Sequence, residues 1–292
     1  MRKIGWLVCR TFIEKRASKS RKALFSYLPL IQKEKIENLS PPSADVSLGF
    51  ELKKTLSNWV HPSWLAPFLK KLSAQDAELF LSAIDPKSAE PLKSLLKIPS
   101  SLPVISPSSA SFFQEILGDY LLHLQPDLLP MEGLPRSSLS KLLTLSSKEL
   151  RLLSELLGLH DLAVEIYQII DNAKLKRIYG ALSKEKEFFL KMLSNKKEPV
   201  VFKRIELSHW DGQKETLLSL LLQRGMNRLA KALYPEDPSF VWYVKHRMEL
   251  EDAQLLSSFH KSLQHANGYT ILSRQILEAI SFLEKLNPLS KS

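Results

Sequence analysis

The sequence predicts an all-α chain, an irregular N-terminal helical domain followed by a compact helical superhelix. Three observations carry that expectation. Apolar residues recur at the i, i+3, i+4, i+7 spacing of buried helix faces. Residues suited to capping helix starts stand ahead of many of those runs. Thirteen of the 17 prolines fall at or before Pro135, so the first half is cut into short pieces and the second is not. The proline drop sets the expected organisation: a basic N-terminal segment over 1–40, a Pro-rich irregular helical region over 41–135, and a helical superhelical domain over 136–292.

The N-terminal segment places Ile4, Leu7, Val8, Phe12 and Ile13 on one side of a helix. Arg10, Lys15, Arg16, Lys19, Arg21 and Lys22 form its basic face or edge, the candidate contact for a partner or a membrane. The apolar run ends at Arg10 after six residues, shorter than the core of a signal peptide. Such a helix can lie on an anionic membrane or dock on an acidic partner. It can also pack its apolar side on the body of the protein and leave the basic edge available, and that second arrangement is the one expected.

Between the proline-marked turns at 40–43 and 99–109, Trp59, Trp64, Leu65, Phe68, Leu69 and Leu72 form an apolar cluster. Ser73 and Asp76 are placed to start a helix carrying Leu79, Phe80, Ala83 and Ile84, which Asp85–Pro86 ends. Residues 111–124 carry a further helix.

The stretch 144–194 organises the second half as four short helices. Ser146 and Glu149 have capping-box spacing. Leu150, Leu153 and Leu157 fall on one face, and Gly158 is placed as a helix stop. A second helix carries Leu162, Ile166, Ile169 and Ile170, a third Leu175, Ile178, Tyr179 and Leu182, and Ser183 caps a fourth. Residues 196–208 have strand character but no partner strand, so an extended connector is expected. Beyond it a helix runs over 213–224, interrupted at Gly225, and Asp237–Pro238 has the form of an N-cap followed by proline at the first helical position. Two more helices are expected over 255–263 and 271–286.

Composition narrows function. The 9 glycines are never closer than thirteen residues, so neither a P-loop nor a dinucleotide-binding fingerprint is present. One cysteine, Cys9, allows no internal disulfide and no multi-cysteine zinc site. No apolar run approaches the ~18 residues of a spanning helix. The seven histidines never form HExxH, and no GxSxG occurs. His160, Asp161 and Glu165 are compatible with a carboxylate-assisted histidine, but an acidic helix start explains the same letters. No catalytic residue, metal ligand or cofactor site is expected.

The net charge of +10 is uneven: +7 over 1–40, −3 over 41–135 and +6 over 136–292. Nucleic-acid binding through basic faces is therefore the alternative function. Its candidates are the N-terminal run, Lys174, Lys176 and Arg177, and Trp242–Tyr243 beside Lys245, His246 and Arg247. No zinc-finger, RRM or KH signature accompanies them.

Two resemblances add to this. Residues 146–193 resemble the helical repeat of the flagellar rotor protein FliG, with Asp161, Leu162 and Ala163 matching its helix entry and Ile178, Leu182 and Ser183 its next turn. That likeness implies a FliG/armadillo-like superhelix. The family's charged torque-generating helix has no counterpart here, so rotor activity is not implied. The whole chain, above all 220–253 (LLLQRGMNRLAKALYPEDPSFVWYVKHRMELEDA), resembles chlamydial type III secretion accessory proteins of the SctK kind. This implies a non-enzymatic cytoplasmic adaptor linking the inner-membrane ring to sorting-platform proteins. It would sit at the cytoplasmic face of the inner membrane, where the basic N-terminal segment is the candidate contact with anionic lipid.

Overall fold

The computed structural model describes residues 3–15, 21–39, 52–98, 101–123, 125–194, 198, 200, 202, 207, 210–263 and 266–286. These residues form α-helices, a few 3₁₀ turns and no strand. In chain order the helices are α1 (Lys3–Lys15), α2 (Arg21–Ser26), α3 (Leu30–Glu37), α4 (Leu52–Trp59) and α5 (Ala66–Leu69). Then come α6 (Ala74–Ser82), α7 (Pro86–Leu96), α8 (Pro107–Leu122), α9 (Ser147–Ile166) and α10 (Asn172–Ala181). The last are α11 (Lys184–Ser194), α12 (Lys214–Leu233), α13 (Pro238–Arg247), α14 (Leu250–Phe259) and α15 (Ala266–Leu286). The fold is all-α, and among the described residues no helix is long and apolar enough to cross a membrane.

Two compact units divide the chain: Met1–Ser137 with Glu236–Leu250, and Ser138–Pro235 with Glu251–Ser292. This differs from three consecutive segments. Residues 1–40 and 41–135 share the first unit, and the segment carrying α13 folds with them rather than with its neighbours in sequence.

In the first unit α4 packs on α8, and α6 on α7 and α8. Asp85 does more than end a helix: its carboxylate accepts from the Lys87 N–H and starts α7 with Pro86 at the first position. Asp237 caps α13 in the same way, accepting from Ser239. The turn before α5 is tied to the end of α13. The His61 N–H donates to the His246 carbonyl at 2.7 Å, the Trp64 indole N–H donates to Met248, and Ser63 Oγ accepts from Leu250. The Tyr243 hydroxyl donates to the Leu129 carbonyl at 2.9 Å. These bonds account for the transfer of α13 to this unit, since each satisfies a polar group that burial would otherwise strand.

The N-terminal helices have a small core of their own, in which Ile13, Phe25 and Ile36 are buried against Trp6, Cys9 and Leu28. Leu7 is buried beside Gly133. Leu7 and Ile13 of the expected apolar side of α1 are thus buried, whereas Phe12 is 56% exposed.

The second unit is built on α9 and α12, flanked by α11 and α15. The capping box forms: Ser146 Oγ accepts from the Glu149 N–H, and Glu149 accepts from the Ser146 N–H at 2.8 Å. Gly158, however, does not stop a helix, and Gly225 does not interrupt one; α9 and α12 run straight through them. A Cβ at Gly158 would overlap the backbone carbonyl of Leu221, and one at Gly225 that of Ser154. Both glycines are where the two helix backbones approach closest, so the missing side chains serve packing. Gly118 plays the same part between α8 and Lys53 at α4.

Candidate functional site

The chemically richest place in the molecule lies inside the second unit, where three helices and the connector between α11 and α12 bring five polar side chains together. Helix α9 supplies His160 and Asp161, α12 Arg228, α15 Gln275 and the connector Glu198. Arg228 is fully buried, 0% exposed. Its Nη2 donates to Asp161 Oδ1 at 2.5 Å and to the Val200 carbonyl at 3.0 Å. Its Nη1 donates to Gln275 Oε1 at 2.9 Å and to Glu198 Oε1 at 3.3 Å. Glu198 Oε1 also accepts from Gln275 Nε2 and from the Val200 N–H, and its Oε2 accepts from His160 Nδ1 at 2.7 Å. Because an ionised carboxylate only accepts, that contact fixes the proton on Nδ1 of His160. The Phe202 ring lies 5.2 Å from the guanidinium carbon.

Burial by itself pushes the Glu198 carboxyl up. The His160 hydrogen bond, the Arg228 charge and the Gln275 amide outweigh it and hold the group down at about 2. A carboxylate so well satisfied is a poor proton acceptor at neutral pH. Three buried atoms, His160 Nε2, Asp161 Oδ2 and Arg228 Nε, have no hydrogen-bond partner among the described residues. The arrangement ties Glu198 and Val200 to α9, α12 and α15 by charge-assisted bonds.

The local reading of His160, Asp161 and Glu165 is corrected here. His160 and Asp161 sit within α9, not at its start, and both are buried. The carboxylate on His160 is Glu198, 38 residues away, while Asp161 serves Arg228. One signal for this was present in the sequence. Arg228 continues the stripe Leu217, Leu221 and Gly225 at helical spacing, and a charged residue on an apolar stripe has to find its partners inside.

Of the basic residues expected at the N-terminus, Arg10 alone has a described side chain. Arg10 is turned inward: it pairs with Glu14 at 2.9 Å and donates to the carbonyls of Ile36 and Glu37, each at 3.1 Å, at the end of α3. Lys15 ends α1, and Arg21 and Lys22 open α2. Arg16 and Lys19 lie outside the described residues, as do the side chains of Lys15, Arg21 and Lys22.

Of the aromatics weighed as base-stacking platforms, Trp242 and Tyr243 are buried. Trp242 and Trp64 enclose the His246 ring, with centroids at 3.8 and 3.9 Å. Burial pushes His246 down to about 4, although its Nδ1–H donates to the Trp242 carbonyl. Lys174 and Arg177 instead line a cavity of about 250 Å³ with Trp210, Gly212, Asp171 and Ala173. Asp171 is engaged there as the cap of α10, and the Lys174 ammonium donates to the Leu207 carbonyl.

Several large apolar side chains remain uncovered. In the second unit Tyr167 and Ile170 follow α9, with Ile170 96% exposed, and Phe188 stands out from α11. In the first unit Val104 is fully exposed, with Phe112 outward on α8. Among the described residues no group of three or more His, Cys, Asp or Glu is placed to hold a metal ion. No family model matches the chain, and no curated protein or solved structure matches it.

Proposed function

We propose that the chain is a non-enzymatic adaptor of a type III secretion sorting platform. It joins the inner-membrane ring to platform proteins through helical surfaces on the cytoplasmic side. The reading draws its assembly from the likeness to accessory proteins of the SctK kind, with the second unit as the FliG/armadillo-like docking module. The observation that carries it is the exposure of Tyr167 and Ile170 between α9 and α10. Two large apolar residues at the end of a rigid helix are suited to forming the desolvated centre of an interface. The unit behind them is held by a fully buried arginine, so that the surface is presented by a stiff support.

The test is co-purification from the native cell with the chain tagged. Inner-membrane ring and sorting-platform proteins are expected with the wild type and lost with Tyr167→Ser/Ile170→Ser, at unchanged melting temperature. Absence of any such protein from the wild-type eluate would overturn the assignment.

One observation favours nucleic-acid binding as a second reading, the meeting of Lys174, Arg177 and Trp210 around one cavity. It requires submicromolar RNA or DNA binding at ~150 mM salt, with a log-linear decline as salt rises.

A further inference from the structure

The corner between α2 and α3 turns a group of apolar side chains outward over a well-made core. Phe25 and Ile36 are buried, with Leu28 packed against them. The corner is closed by the Tyr27 N–H donating to Leu24 and the Leu28 N–H donating to Phe25. Leu24, Tyr27, Leu30 and Ile31 face solvent instead, the last three 85%, 77% and 69% exposed. The inward set fixes the backbone, so the outward set is a standing feature of the surface.

The charge around this corner has one dominant sign. Arg21 and Lys22 open α2, with Arg21 one turn before Leu24. Lys33 and Lys35 follow on α3 with Glu34 and Glu37 among them, so residues 21–37 carry a net charge of +2. An apolar tip flanked in sequence by a basic excess fits a surface that carries negative charge outside and hydrocarbon a few ångströms beneath. Tyrosine suits the boundary between them, with an apolar ring and a polar end.

We propose that this corner is a membrane-docking wedge, in which Tyr27, Leu30 and Ile31 enter the interface of an anionic bilayer and the neighbouring basic residues meet its headgroups. The wedge moves lipid contact away from the apolar side of α1, where Leu7 and Ile13 are buried. It is independent of which proteins the adaptor joins.

The test is pelleting of the full chain with phosphatidylcholine vesicles that contain or lack phosphatidylserine. Wild type should pellet with the anionic vesicles and hardly with the neutral ones. Tyr27→Ser/Ile31→Ser should weaken partitioning at least ~10-fold. Arg21→Gln/Lys22→Gln should weaken it roughly fivefold per charge removed, and added salt should do the same. Tyr27 and Ile31 lie outside the core, so the melting temperature of that variant should match wild type. The wedge is overturned if wild type ignores anionic vesicles, or if Tyr27→Ser/Ile31→Ser pellets as wild type does. It is overturned equally if that variant keeps lipid binding and loses only self-association in light scattering or attachment to an acidic protein.

Discussion

The two units solve the same problem, a polar group inside an apolar core, in opposite ways. The first keeps His246 neutral. It shields both faces of the ring with indoles and spends its Nδ1–H on the carbonyl four residues back. The second holds Glu198 ionised and surrounds Arg228 with two carboxylates, an amide and a backbone carbonyl. Desolvation wins in the first case because, among the described residues, no carboxylate bonds the ring. It loses in the second because four donors converge on Glu198. A neutral buried group costs little until acid forces a proton on it. A charged network is rigid but fails when any member is removed.

The largest expected effect therefore belongs to the charged centre. Arg228→Met leaves Asp161 and Glu198 buried without their cation, and removing one partner of a buried pair costs about 3–5 kcal/mol. Denaturant unfolding of the full chain should show it, with hydrogen exchange in α9 and α12 losing protection before α4 and α8. Equal loss in both units would erase the distinction between them.

Next comes acid sensitivity of the first unit. The folded-state value of His246 lies below that of the unfolded chain, about 4 against 6.5. The folded form thus binds the proton less well. The contribution is complete above pH 6.5 and is lost as pH falls toward 4, amounting to ~3 kcal/mol at 1.4 kcal/mol per unit. Four of the five tryptophans, at 6, 59, 64 and 242, belong to this unit, so tryptophan emission follows it. Unfolding midpoints read by emission should decline through that window and stay flat in His246→Phe.

A smaller effect, in a lower window, is expected of Glu198. Its folded-state value is depressed to about 2 from 4.5, so its contribution is present above pH 4.5 and disappears on the way down to 2. Partial access of solvent limits it to about 2 kcal/mol. Glu198→Gln should be less stable than wild type at pH 7 by that amount, and the two should converge near pH 2. A difference that stays constant with pH would mean that charge plays no part in holding the connector.

What the sequence disclosed divides along the range of the interaction. The capping box of Ser146 and Glu149, the Asp237–Pro238 start of α13 and the Ser73 cap of α6 were legible because each bond spans a few residues. Gly158 and Gly225 misled for the same reason. Within a window of a few residues, a glycine that ends a helix and one that admits another helix look alike, and only the facing carbonyls of Leu221 and Ser154 tell them apart. The partnership of His160 with Glu198 joins residues 38 apart through a connector that has no periodicity to read. The return of α13 to the first unit depends on bonds such as Tyr243 to Leu129, across 114 residues. Surface apolar residues such as Ile170 were read as core because their spacing is that of a buried stripe, and spacing carries no information about whether a neighbour arrives.

The proposed adaptor works through exposed helical surfaces, with the buried ionic centre as their support. Photocrosslinking in the native cell tests it most directly, with a photoreactive amino acid placed at 170 and, as control, at the buried position 157. The account predicts adducts with inner-membrane ring or sorting-platform proteins from 170 and none from 157. No adduct from 170, together with a chemical turnover by the purified chain that His160→Gln abolishes at unchanged stability, would contradict it.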